Sequence, residues 1–130
     1  MSDEETGGNI RRVLVIDDQD VARDYMTRLL EDAGYNVSAQ SSPLGVTRQV
    51  IREGITVVII DVEMPALRGD KLVRLFRQNR RLANLGLVLV SSKDQEELAA
   101  LGRAAGADAV VTKKSLDRSL VAEVKKLFGR

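Results

Sequence analysis

The chain contains no cysteine, no histidine and no tryptophan. Lack of thiols excludes disulfides, zinc thiolate centres and cysteine nucleophiles, and it suits a reducing compartment, so a cytoplasmic protein is expected. Lack of imidazole removes Ser-His-Asp triads, histidine metal ligands and the usual neutral-pH base. Any chemistry therefore falls to carboxylates, hydroxyls and lysines. Charge of one sign is scarce too: 20 basic and 19 acidic residues leave a net charge of +1, and no global field gathers nucleic acid or an anionic membrane. No apolar run approaches the roughly 20 residues that a membrane span needs. Met1 to Asn9 is acidic and glycine-containing, with neither the basic start nor the apolar stretch of a secretion signal. Neither a membrane nor a direct nucleic-acid partner is expected.

What is present is alternation. Short apolar runs at Val13–Ile16, Val57–Ile60, Leu87–Val90 and Ala109–Val111, with the alternating Asn36–Gln40, read as strands. Between them lie helical spacings. Val21, Tyr25, Met26, Leu29 and Leu30 carry a first helix to Gly34. Ser42-Pro43 predicts the start of a second, with Leu44, Val46, Val50 and Ile51 as its stripe. Asp70 predicts the cap of a third, running to about Arg80. Ser92 and Gln95 have capping-box spacing for a fourth, and Ser115 precedes a fifth with Leu116, Leu120 and Val124. On the third helix Arg74, Arg77 and Arg81 form a basic stripe that reads as a solvated face.

Strands alternating with helices argue for a parallel sheet covered on both faces, because each parallel crossover needs a helix-length connection. The two weakest strands, the second and fifth, belong at the edges. The expectation is an α/β flavodoxin-like (βα)5 doubly wound sandwich with a five-stranded sheet of order 2-1-3-4-5. One domain over residues 11–130 follows a flexible extension over 1–10.

Right-handed crossovers put the residues that end the strands on one edge. Those residues are Asp17 and Asp18, Asp61, Ser91 and Lys113. A lone aspartate after a strand most often just opens a turn. Three carboxylates from neighbouring strands repel one another unless they share a proton or hold a cation, and hard oxygen ligands with open positions suit Mg2+. Lys113 adds a compact positive charge and Ser91 a hydroxyl donor. Such a set fits a carboxylate nucleophile, Asp61, that accepts a phosphoryl group.

The motifs Val15-Ile16-Asp17-Asp18, Ile60-Asp61-Val62-Glu63-Met64-Pro65, Val90-Ser91 and Gly106-Ala107-Asp108 through Lys113 resemble the receiver domain of bacterial response regulators, from about Arg11 to Phe128. The resemblance implies that Asp61 is phosphorylated by a sensor histidine kinase or phosphotransfer protein. It implies that Mg2+ is bound by Asp18, Asp61 and the main-chain carbonyl of Glu63, with Asp17 assisting through water. Ser91 and Lys113 would contact the phosphoryl group. The domain would catalyse only its own phosphorylation and dephosphorylation, and signal by docking an unspecified protein. The chain departs from the family pattern at Lys114, where proline is usual, at Val110, where an aromatic ring is usual, and at Ser92, where a small residue is usual. Glu63, two residues past the acceptor, is placed to lean over the site or to pair with a nearby base.

Other readings fare worse. A pseudo-receiver that docks partners without being phosphorylated is suggested by Val110 and Lys114 but opposed by the intact acids, serine and lysine. A flavodoxin-type phosphate site would be repelled by Asp17-Asp18-Gln19-Asp20. The Gly-x-Gly-x-x-Gly of dinucleotide sites is missing. An aspartate phosphatase of the haloacid-dehalogenase type would need a threonine where Ala22 stands.

Overall fold

The computed structural model describes residues 10–130; apart from Ile10, the extension expected over 1–10 lies outside the described residues. The elements are β1 (Arg12–Ile16), α1 (Asp20–Asp32), β2 (Asn36–Gln40), α2 (Val46–Glu53), β3 (Val57–Asp61), α3 (Gly69–Gln78), β4 (Gly86–Ser91), α4 (Gln95–Ala105), β5 (Ala109–Thr112) and α5 (Leu116–Phe128), with a single 3-10 turn at Lys113–Ser115. All ladders are parallel and the strand order is β2-β1-β3-β4-β5. This is the flavodoxin-like (βα)5 arrangement, with the two least apolar strands at the edges.

The continuous apolar runs have a direct cause. Leu14, Ile16, Val58, Ile60, Leu87 and Leu89 face one core, under α2, α3 and α4. Their neighbours Val13, Val15, Val57, Ile59, Val88 and Val90 face a second core, under α1 and α5. A strand covered on both sides must be apolar at every position. Each such side chain, taken fully out of water, stabilises the fold by about 1.5–3 kcal/mol.

Several helix starts differ from the sequence expectation. Helix α2 begins at Val46, not at Pro43: Ser42 Oγ accepts from Leu44 N (3.2 Å) and Val46 N donates to Pro43 O (3.3 Å). That turn exits through Gly45, at φ +76°, and leaves Leu44 81% exposed. In α4 the cap is Asp94, whose carboxylate accepts from Glu97 N at 2.8 Å. Two overlapping signals compete there, Ser92 with Gln95 and Asp94 with Glu97, and the second wins. Asp70 is not a cap either; it lies inside the first turn of α3, buried and paired with Arg68 at 3.1 Å. Ser115 holds the N-cap position of α5 without a capping hydrogen bond.

The basic stripe on α3 is divided. Arg74 is exposed; Arg81, also exposed, lies beyond α3, which stops at Gln78 instead of about Arg80; and Arg77 is a clamp. Its guanidinium donates to the carbonyls of Gly106 (2.8 Å), Ala83 (2.9 Å) and Leu85 (2.7 Å) and pairs with Asp108 at 2.8 Å. Asp108 also accepts from Leu87 N (2.8 Å) and pairs with Arg130 (2.9 Å). Burial works to raise the Asp108 carboxyl, but the Leu87 N–H and the two guanidiniums outweigh it and hold it below the ordinary range.

Candidate functional site

Register builds the site. Ile16 pairs with Ile60, so Asp17, just past β1, and Asp61, the last residue of β3, sit side by side at the carboxyl edge of the sheet. Ser91 pairs with Thr112, which brings Lys113 next to the end of β4. Both Asp17 and Asp61 are fully buried, while Asp18 is exposed.

The Lys113 ammonium lies 2.9 Å from Asp17 Oδ2 and 3.3 Å from Asp61 Oδ1, and it donates to Gln19 Oε1 at 3.2 Å. Asp17 Oδ1 accepts from Gln19 N at 2.9 Å. These ion pairs lack hydrogen-bond alignment: Asp17 Oδ2 and both oxygens of Asp61 are buried without a hydrogen-bond partner. Carboxylate oxygens of Asp17, Asp18 and Asp61 come within 4.8 Å of one another. Buried acceptors left unpaired are costly, and three converging hard oxygens are what a divalent cation would satisfy. The residues present therefore fit a Mg2+-sized ion.

Electrostatics agree. The Asp61 carboxyl is pushed from 3.8 up to about 7, by burial first and then by the neighbouring Asp17 charge and that of Glu63, against the pull of Lys113. Burial pulls the Lys113 ammonium down, but Asp17 and Asp61 outweigh it and hold the group above its usual range. The lysine stays charged.

Ser91 is already engaged. Its hydroxyl donates to the Glu63 carboxylate, with Oε1 at 2.9 Å and Oε2 at 3.0 Å, and accepts from Lys93 N at 3.1 Å. Lys93 in turn pairs with Glu63 (3.9 Å) and with Glu97 on α4 (3.6 Å). A pocket of about 350 Å³ opens over Asp61, lined by Gln19, Glu63, Ser92, Lys93 and Lys113.

Three contributors escaped the sequence reading. Gln19 and Lys93 are loop residues whose partners are set by the fold. Gly69 is the third: its N–H donates to Val62 O (3.0 Å), and a Cβ there would overlap the Asp61 carbonyl oxygen and lie 2.8 Å from Ile60 Cγ2. Only glycine lets the start of α3 press against the strand that carries Asp61. Its position just before the Asp70 helix was the available signal.

Val110, where the family pattern has an aromatic ring, packs against the core under α4. A Cβ on Gly102 would overlap its Cγ1. The small residues of α4 thus admit β5 at Gly102, whereas Ala100 and Ala104 face outward.

A family model described as the response regulator receiver domain matches residues 13–125. Among curated proteins, the chain is 29% identical over 122 residues to the transcriptional regulatory protein GltR of Pseudomonas aeruginosa, covering 94% of this chain and 50% of that protein. It is 28% identical over 118 residues to the aerobic respiration control protein ArcA of Escherichia coli K12, covering 91% and 48%. The chain thus spans about half the length of these relatives. A putative response regulator from Chloroflexus aurantiacus superposes with a TM-score of 0.85 at 25% identity, covering 94% of this chain and 100% of that one. The BeF3-activated DrrB receiver domain gives 0.77 at 25%, covering 93% and 99%. The chemotaxis protein CheY4 of Vibrio cholerae shares the fold, at 0.80 and 23% identity over 91% of this chain and 98% of that one.

Proposed function

Because the chain belongs to the response regulator receiver domain family, we propose that it takes a phosphoryl group onto Asp61 from a sensor histidine kinase or phosphotransfer protein. In this reading Mg2+ is held by Asp18, Asp61 and the main-chain carbonyl of Glu63, and Asp17 contributes through water. The observation that carries it is Asp61 itself: a fully buried carboxylate with neither oxygen hydrogen-bonded, ion-paired with a lysine and beside two further acids.

The chemistry follows from the contacts. A bound divalent cation supplies charge neutralisation for the carboxylates and the incoming phosphoryl oxygens. One Asp61 oxygen attacks phosphorus as the P–N bond of the donor's phosphohistidine breaks. The imidazole leaves with the electron pair and takes up a proton from water. Lys113, 3.3 Å from Asp61 Oδ1, is placed to follow the charge onto a phosphoryl oxygen. Ser91 offers a hydroxyl to another. The product is an acyl phosphate, and the domain's activity is confined to gaining and losing it. The protein acts in the cytoplasm by docking a downstream protein.

A phosphorylation-independent interaction module is the weaker reading, since Asp17, Asp18, Asp61 and Lys113 lie together at one edge of the sheet. Incubation with a labelled phosphoramidate, a small P–N donor, tests the reading. The wild type should incorporate label in a Mg2+-dependent, hydroxylamine-labile form, and Asp61→Asn should lose it by more than about a hundredfold, as removal of a nucleophile demands. Equal labelling of the variant would overturn the proposal.

A further inference from the structure

The Ser91 hydroxyl has one proton, and in this structure Glu63 takes it. A phosphoryl group on Asp61 would need the same proton, and it would also repel the Glu63 carboxylate. The two anions cannot both be served. Once displaced, Glu63 has a nearby cation in Lys93, already 3.9 Å away and shared with Glu97 at 3.6 Å. Glu97 belongs to the first turn of α4, where its N–H is held by Asp94. The chain Ser91, Glu63, Lys93, Glu97 therefore joins the acceptor pocket to α4 by contacts alone, on the side of the molecule where Val110 supplies no ring to move.

We propose that Glu63 is a positioning residue that holds the Ser91 hydroxyl while Asp61 is unmodified, and that phosphorylation hands Glu63 to Lys93, drawing that lysine from Glu97 and altering the first turn of α4. This rests on Asp61 being the acceptor. The residue both competes with phosphorylation and reports it.

Mg2+ with beryllofluoride, a phosphoryl mimic, provides the probe, read by 19F resonances for site occupancy and by 15N amide shifts for Gln95–Glu97. In the wild type a bound 19F signal should appear and the α4 amides should shift. Glu63→Ala should bind beryllofluoride about fivefold more tightly, since the hydroxyl no longer has to be won from a carboxylate, and its α4 amides should not respond. Glu97→Gln lies outside the pocket; it should bind within about twofold of wild type, a surface charge contributing little, with the α4 shift cut to less than half. If Glu63→Ala binds no more tightly than wild type, or either variant's α4 amides shift as in the wild type, the relay is overturned. Absence of any bound 19F signal in the wild type would instead overturn the acceptor reading, and the relay with it.

Discussion

Asp61 is kept buried at a cost that depends on pH. Burial first, and then the Asp17 charge, push its carboxyl from 3.8 up to about 7. A raised carboxyl contributes stability that is fully present below 3.8 and is lost as pH rises through about 7. At about 1.4 kcal/mol per unit, the loss is on the order of a few kcal/mol. Urea unfolding with a chelator present should therefore show wild type losing stability from pH 5 to pH 8, with Asp61→Asn losing less and Mg2+ restoring the wild type selectively. Parallel curves for the two proteins would contradict this account. That Asp17, Asp61, Ser91 and Lys113 lie at one edge was legible in the sequence, because strand ends of a parallel sheet share it. Gln19 was not: its partner Lys113 is 94 positions away, and nothing local to Gln19 announces the contact.

At the scale of elements, the junction of β3 and α3 governs the site. Gly69 packs where any side chain would meet the carbonyl of Asp61. Gly69→Ala should destabilise the fold by about 1–3 kcal/mol, as overpacking does, and displace the acceptor enough to slow phosphoryl uptake. Thermal unfolding and labelling rates measure the two effects; a variant as stable and as fast as wild type would contradict the packing. Helix existence was readable from apolar spacing, but helix starts were not. Ser92 and Asp94 both offered caps to α4, and only the path of the chain leaving β4 selects Asp94. At α2 the Ser42-Pro43 turn and the left-handed Gly45 postponed the helix to Val46.

Across the whole molecule, the strand order was legible because apolarity on both faces marks the centre of the sheet, and β2 and β5 lack it. The opposite end of the sheet was less so. Arg77 reads in sequence as one of a solvated row, yet it ties α3 to the turns before β4 and β5. Arg77→Ala removes the guanidinium donor from three carbonyls and leaves Asp108 only the Leu87 N–H and Arg130, and should cost about 2–4 kcal/mol at neutral pH. Because the Asp108 carboxyl is held below its ordinary 3.8, its contribution is present above that value and lost as pH falls through the lower folded one. The deficit of the variant, followed by chemical denaturation, should accordingly shrink in strong acid; a deficit that does not change with pH would count against the clamp. The account as a whole turns on which residue carries the phosphoryl group. Peptide-mapping mass spectrometry after treatment with acetyl phosphate and Mg2+ should find an adduct of about 80 Da on the peptide containing Asp61, and none when Mg2+ is chelated. An adduct on any other residue, or none with Mg2+ present, would contradict it.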